Sequence, residues 1–205
     1  MAKFRVVESR YFQHKTPLAS IDYYDKDSHG EDDFSRKQVW FYVYGDEEIE
    51  EEFREELSGI FHSLFSEDDS QWDLITLYPS HVEGEINPNM RDLMLDVSAD
   101  SGIAMDQVLE RTETVHENHA MSGEKAKSVN LEGSIDVKGD VEGKNIVLVD
   151  NIALSGVSML HGAELLKKHG ANKVFAVSLG TDLGKKDETT EINDETATEL
   201  MVRID

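Results

Sequence analysis

The 205-residue chain contains no cysteine and only three prolines. Disulfides, thiolate metal sites and cysteine nucleophiles are therefore excluded. No apolar run nears the ~18 residues that span a membrane, and the opening MAKFRVVESR lacks the apolar stretch of a secretory signal. A cytoplasmic protein is the expectation. At ~100–200 residues per domain the length suits one domain, long enough to bury a core without cross-links. Bases are the other scarce class: Lys and Arg number 20 against 43 Asp and Glu, a formal charge of −23. That balance argues against nucleic acid or an anionic membrane as a partner. A halophile's hydrated acidic surface is one reading. Thirteen of the bases are lysine, however, and an acidic protein without salt adaptation is the other.

The charge is unevenly spread. From Asp46 to Asp69 there are eleven acids and one base, Arg54, and the tail after Gly180 is also acidic. From Val141 to Gly180 there are three acids and four bases, a net +1. A near-neutral island in so acidic a chain is either a buried core unit or a place where an anion can approach.

Periodicity gives a coarse outline. Val39 to Tyr44 (VWFYVY) is β-branched and aromatic, which predicts a strand. Glu47 to Phe65 follows with Phe53, Leu57, Ile60, Phe61, Leu64 and Phe65 on one helical stripe. Leu74 to Tyr78 reads as a buried strand and Asn89 to Ala99 as a helix burying Met90, Leu93, Met94 and Val97. Ile103 to Leu109 is a further strand candidate, and Ser122 to Val129 a short basic helix.

The strongest local signal runs from Lys144 to Leu179. Ile146-Val147-Leu148-Val149 is a fully apolar run, the pattern of a strand covered on both faces. It ends in Asp150-Asn151. A loop with Ser155, Gly156 and Ser158 leads into a helix from about Ser158 to His169, and Gly170 can close it in the left-handed C′ conformation. Val174 to Leu179 is a second buried strand, completing a βαβ unit of a mostly parallel α/β sheet flanked by helices. Ligands of such sheets sit beyond the carboxyl ends of the strands, against helix N-termini. A carboxylate beside a hydroxyl-rich loop suits a ribose 5-phosphate: the acid accepts from the diol and the loop takes the phosphate.

At these residues, IVLVDNIALSGVS from Ile146 to Ser158, the chain resembles the type I phosphoribosyltransferases. The upstream order is similar to the competence-protein-F (ComF) branch, related to the amidophosphoribosyltransferases: LITLYPS at the pyrophosphate-loop strand, GEINPNMRDLM from Gly84 to Met94, then Arg111 and MSGEKAKSVN from Met121 to Asn130. The likeness covers roughly Trp72 to Thr181. It implies the type I phosphoribosyltransferase fold in residues 72–205, with residues 1–71 as an acidic strand-helix addition. By the same resemblance Asp150 and Asn151 are the catalytic pair facing the ribose hydroxyls of phosphoribosyl pyrophosphate. Ala153, Leu154, Ser155, Gly156, Val157 and Ser158 cradle the 5-phosphate. Tyr78, Pro79, Ser80 and His81 border the pyrophosphate, and Arg111, Lys125 and Lys127 are mobile-loop bases. Mg2+ is held mainly by substrate and water, the acceptor is a nucleobase or a related nitrogen nucleophile, and a homodimer is compatible with the family.

Two departures stand out. Asn151 replaces a second acid, and no Lys or Arg follows Pro79 before Arg91, where the relatives carry arginines. They favour a rival: a non-catalytic sensor of phosphoribosyl pyrophosphate or a nucleoside 5-phosphate. A second rival, an interaction protein in DNA processing, rests only on the competence-family likeness. Other signals are set aside. Gly139 to Lys144 mimics a Walker A loop but precedes its strand, so it reads as a connection. His116 and His119 make no closed metal set. His169 suits the C-terminal end of its helix, and Ser155 or Ser158 alone could be a simple helix cap.

Overall fold

The computed structural model describes residues 1–28, 32–65, 72–117 and 121–192. Its centre is β6 (Asn145–Ala153), the strand predicted from IVLV, with Ile146, Val147, Leu148 and Val149 fully buried. On one edge it pairs in parallel with β3 (Leu74–Leu77), on the other with β7 (Lys173–Asp182). Alternation of side chains then divides the core in two. Val147, Val149, Phe175, Val177 and Leu179 face one cluster, completed by α2 (Glu47–Phe65) and α3 (Pro88–Ser101). Ile146, Leu148, Val174 and Ala176 face the other, closed by Met159, Leu160, Ala163 and Leu166 of α5 (Val157–Lys168). The result is an α/β fold: a mostly parallel sheet flanked by helices.

The helices follow the expected stripes. α2 buries the six residues that its sequence pattern marks, and α3 buries Met90, Leu93, Met94 and Val97. Asn87 caps α3 by accepting from the Met90 N–H, with Pro88 in the first turn, where its missing donor does no harm. α4 (Glu124–Leu131) lies where the short basic helix was predicted. α5 ends at His169, whose Nδ1 sits 2.8 Å from the Leu165 carbonyl, before Gly170 at φ +94°. Gly139 and Gly143 form turns leading into β6, as the connection reading requires.

Two expectations fail. Val39 to Tyr44 is not a strand: α1 (Asp33–Val39) continues into a π-helical turn over Trp40–Tyr44 that Gly45 ends at φ +66°. Only Phe41 of that turn is buried, edge-on to Phe53 at 5.5 Å, while Trp40, Val43 and Tyr44 are exposed. Asn87 and Asn89 donate to its carbonyls, so the turn is satisfied without strand neighbours, and context overrides the β-propensity of the sequence. Ile103 to Leu109 is likewise no regular strand. It makes one bridge, Met105 to Ile75, and only Leu109–Arg111 (β4) pairs, with β5 (Ile135–Val137) in a separate two-stranded sheet. Side chains replace the ladder there: Gln107 donates to the Leu77 and Leu109 carbonyls, and Thr76 accepts from the Val108 N–H.

The N-terminal segment supplies more of the sheet than its composition suggests. β2 (Thr16–Tyr24) pairs in parallel with β7, β1 (Ala2–Val7) runs antiparallel to β2, and β8 (Thr190–Ile192) pairs antiparallel on β1. The order is β3-β6-β7-β2-β1-β8. The pattern of β2 is obscured because it buries polar groups that pair with each other, Ser20 Oγ to Ser178 Oγ at 2.8 Å.

Phe175 on β7 ties these layers together. It is fully buried and packs against Phe4 of β1, Phe65 of α2 and Trp72. Phe175→Ala is expected to lower stability by about 3–5 kcal/mol, read by urea denaturation. A loss below about 1 kcal/mol would mean that this cluster does not hold the layers.

Candidate functional site

Three segments converge at the carboxyl ends of the central strands: the residues after β3, the end of β6, and the loop from β6 into α5. Tyr78, Pro79, Ser80, Asp150 and Asn151, all singled out from sequence, line one cleft with Tyr42 and Asn87. Its enclosed volume of about 30 Å³ admits a functional group, not a whole nucleotide. A far larger cavity of about 1080 Å³ lies between α2 and the β1–β2 edge, lined by none of the predicted site residues.

Asp150 is half-buried at the rim of the cleft. It accepts from the Asn151 N–H at 2.8 Å. Desolvation by the surrounding protein pushes its pKa up to about 7, against the opposing pull of that bond and of the Arg111 charge. At neutral pH this carboxyl is thus poised between its acid and its acceptor form. Tyr42 stays a neutral phenol, its pKa raised to about 12 by burial and by the Asp150 charge. The Gln38 amide lies 3.4 Å from the Asn151 carbonyl, so α1 and the π turn wall the cleft.

Beneath the cleft is a polar cluster. The Tyr78 hydroxyl is 3.2 Å from His161 Nδ1, and hydrogen bonds with Ser158 and Arg111 bear on the phenol. Burial raises the phenol to about 12. His161 is held neutral, its pKa lowered to about 4 by burial first and by the Arg111 charge next. The Arg111 guanidinium lies 5.7 Å from the Tyr78 ring centroid. Sequence expects a mobile base there; the structure gives a buried one, donating to the Ser80 carbonyl at 2.9 Å and to Ser134 Oγ.

The other predicted residues are placed as follows. Ala153 ends β6, and Leu154 to Gly156 turn into α5, which begins at Val157. Gly156 is the N-cap at φ +74° and provides no side-chain cap, so neither serine has the capping role weighed from sequence. A Cβ on Gly156 would come within 2.3 Å of Val7 Cγ1, so both the backbone conformation and the space demand glycine. Ser155 Oγ accepts from Lys127 Nζ at 3.3 Å, which brings a base from α4 onto the β6–α5 loop. Lys125 is exposed on α4. His81 turns from the cleft toward Glu117, 3.6 Å away. His119 lies outside the described residues. Among those described, no group of three or more His, Asp or Glu gathers to hold a metal.

Sequence reasoning missed Tyr42, Gln38, His161 and Arg5. Tyr42 sits in the segment misread as a strand, and Gln38 immediately precedes it on α1. Arg5 is buried on β1 and donates to the Ala153 and Leu154 carbonyls at 2.8 and 2.9 Å. An arginine flanked by Phe4, Val6 and Val7 was the signal available for it.

Several solved structures show similarity to this chain. A hypoxanthine phosphoribosyltransferase from Staphylococcus aureus is 14% identical with a TM-score of 0.43, over 70% of each chain. One from Trypanosoma cruzi is 13% identical with a TM-score of 0.43, over 70% of this chain and 73% of that one. A glutamine phosphoribosylpyrophosphate amidotransferase from B. subtilis is 17% identical with a TM-score of 0.42; the match takes in 68% of this chain but 30% of that one. No curated protein matches the sequence. No helix among the described residues is long and apolar enough to cross a membrane. Residues 81–204, more than half of the sequence, match the phosphoribosyl synthetase-associated domain, and the chain belongs to that family.

Proposed function

We propose that the cleft and the adjoining loop bind phosphoribosyl pyrophosphate and that the protein transfers its ribose 5-phosphate group to a nitrogen nucleophile, a nucleobase or a related compound. One observation carries this reading: Tyr78 to Ser80 and Asp150-Asn151, 70 residues apart in sequence, line one cleft beside the Ala153–Ser158 loop. A cleft of this size suits the diol edge of a ribose. The phosphate then lies over the N–H groups that open α5. The likeness of Leu74 to Asn130 to the competence-protein-F branch belongs to the same reading.

In this scheme the carboxylate form of Asp150 accepts from the ribose hydroxyls, and Asn151 adds a neutral hydrogen-bonding partner. The C1–O bond to pyrophosphate breaks as a C1–N bond forms; pyrophosphate departs with the electron pair, and the proton of the attacking nitrogen passes to solvent water. An oxocarbenium-like ribose gains from the nearby Asp150 charge. Tyr78, neutral and held by His161, keeps the wall of the cleft in place. The donor set fits magnesium: one carboxylate and one amide oxygen leave most coordination positions to substrate and water, as this hard cation prefers. Bound there, magnesium would offset the negative charge of the pyrophosphate.

The sensor reading has a specific observation in its favour. Arg111 is buried and already engaged by the Ser80 carbonyl and Ser134 Oγ, and Lys127 rests on Ser155, so two of the three expected bases are committed to contacts within the protein. Pyrophosphate release in the presence of purine and pyrimidine bases separates the two. Magnesium-dependent binding of phosphoribosyl pyrophosphate with release on one of the bases supports the enzyme; binding without release supports the sensor.

Three variants test the site. Asp150→Ala is expected to weaken phosphoribosyl pyrophosphate binding at least tenfold, about 1.4 kcal/mol, by calorimetry; unchanged affinity removes the site. Gly156→Ala should both lower the melting temperature and abolish binding, since backbone and Val7 each oppose it. Asp150→Asn tests the raised pKa. The folded carboxyl retains its proton to about pH 7, whereas the unfolded one ionises near its ordinary value of 3.8. Its contribution to stability is therefore present at low pH and lost as pH rises through 7. Asp150→Asn should stabilise the protein at pH 8 by roughly 1–2 kcal/mol, discounted for solvent at the rim, and by little at pH 4. Equal effects at both pH values would refute the shift.

A further inference from the structure

Arg5 and Val7 are two residues apart on β1 and so share one face of that strand. Both meet the loop between β6 and α5. The Arg5 guanidinium donates to the Ala153 and Leu154 carbonyls, Thr181 adds a longer bond to Ala153 at 3.4 Å, and Val7 fills the space beside Gly156. No described peptide is cis, and in a planar trans peptide the C=O and the following N–H point in opposite directions. Fixing the carbonyls of residues 153 and 154 toward β1 therefore turns the N–H groups of Leu154 and Ser155 toward the opposite side of the loop.

The charge matters as well. Arg5 is 4% exposed, and its Nε is buried without a hydrogen-bond partner. Asp182 and Glu188 act on it through space, but no carboxylate among the described residues forms an ion pair with it. A buried guanidinium held by carbonyls alone keeps most of its positive field, and this field lies directly behind the loop. In a chain of formal charge −23, that is a local reversal of sign at the place where an anion would dock.

We infer that Arg5 is the positioning residue of the phosphate loop: it orients the Leu154 and Ser155 N–H groups toward the ligand and supplies a buried positive charge behind them, so that the loop selects a phosphate dianion. This rests on the phosphoribosyl reading of the site. It assigns recognition of the 5-phosphate in part to the N-terminal strand, outside the βαβ unit that carries the motif. Lys127, on Ser155, faces the same loop from α4, so the phosphate is held between two cations from distant parts of the chain.

The test is calorimetric titration of the full chain with ribose 5-phosphate and, separately, inorganic phosphate. Arg5→Met keeps the bulk and removes the charge and donors; Arg5→Lys keeps the charge; Ile60→Val perturbs the opposite core without touching the loop. The expected result is at least a tenfold loss of affinity for both ligands in Arg5→Met, partial recovery in Arg5→Lys, and wild-type affinity in Ile60→Val. Should Arg5→Met fail to fold, Arg5→Lys decides alone: loss of a paired donor geometry must still weaken binding several-fold. A lower melting temperature with unchanged affinity in the Arg5 variants overturns the inference and leaves the site intact. Failure of the wild type to bind either ligand overturns the phosphoribosyl reading, and this inference with it.

Discussion

A strand hydrogen-bonded on both edges and buried on both faces has almost no freedom to shift, and β6 is in that position. Its parallel pairing with β3 and β7 fixes its register, and its alternating apolar side chains anchor it in both cores. Whatever follows Val149 is therefore delivered to a defined point in space. Asp150 and Asn151 are those residues, and β3 delivers Tyr78 to the same level because its partner in register, Leu77 with Val149, ends there too. The cleft is a consequence of strand pairing before it is a matter of side-chain chemistry.

The cleft then depends on burial acting selectively. The same desolvation that keeps Tyr42 and Tyr78 neutral and His161 uncharged brings Asp150 to the middle of the physiological range. The Arg111 charge opposes that rise, while Arg5 and Lys127 bring positive charge to the neighbouring β6–α5 loop. The acidic composition of the chain is no obstacle at this point. The acids of α2 lie on its solvent face, whereas Arg5 and Lys127 both meet the loop between β6 and α5.

Much of this was legible in the sequence where burial is two-sided or strictly periodic. The IVLV run, the stripe of α2 and the Met90, Leu93, Met94 and Val97 stripe of α3 each have a physical signature that tertiary context reinforces. The turn from β6 into α5 was legible because a glycine after a buried strand and before a helical stripe marks a tight connection, and Gly156 adopts φ +74° there. VWFYVY was misread because β-branched and aromatic residues are equally at home in a helical turn that sends one ring, Phe41, into the core and leaves the rest at the surface. β2 was overlooked because a paired Ser20 and Ser178 hide a central strand behind polar letters. Arg5 could not be assigned from sequence: its role depends on β1 lying beside a loop almost 150 residues away, a contact that only the completed sheet creates.

We propose above that the β6–α5 loop and the end of β6 together hold a ribose 5-phosphate. This is tested most directly by following the backbone amide resonances of the ¹⁵N-labelled protein during titration with ribose 5-phosphate. Binding there should give saturable shifts concentrated at Asn151 and at Leu154 to Ser158, with smaller ones at Tyr78 and Ser80. Shifts confined to the large cavity between α2 and the β1–β2 edge, or no saturable shifts at all, would contradict it.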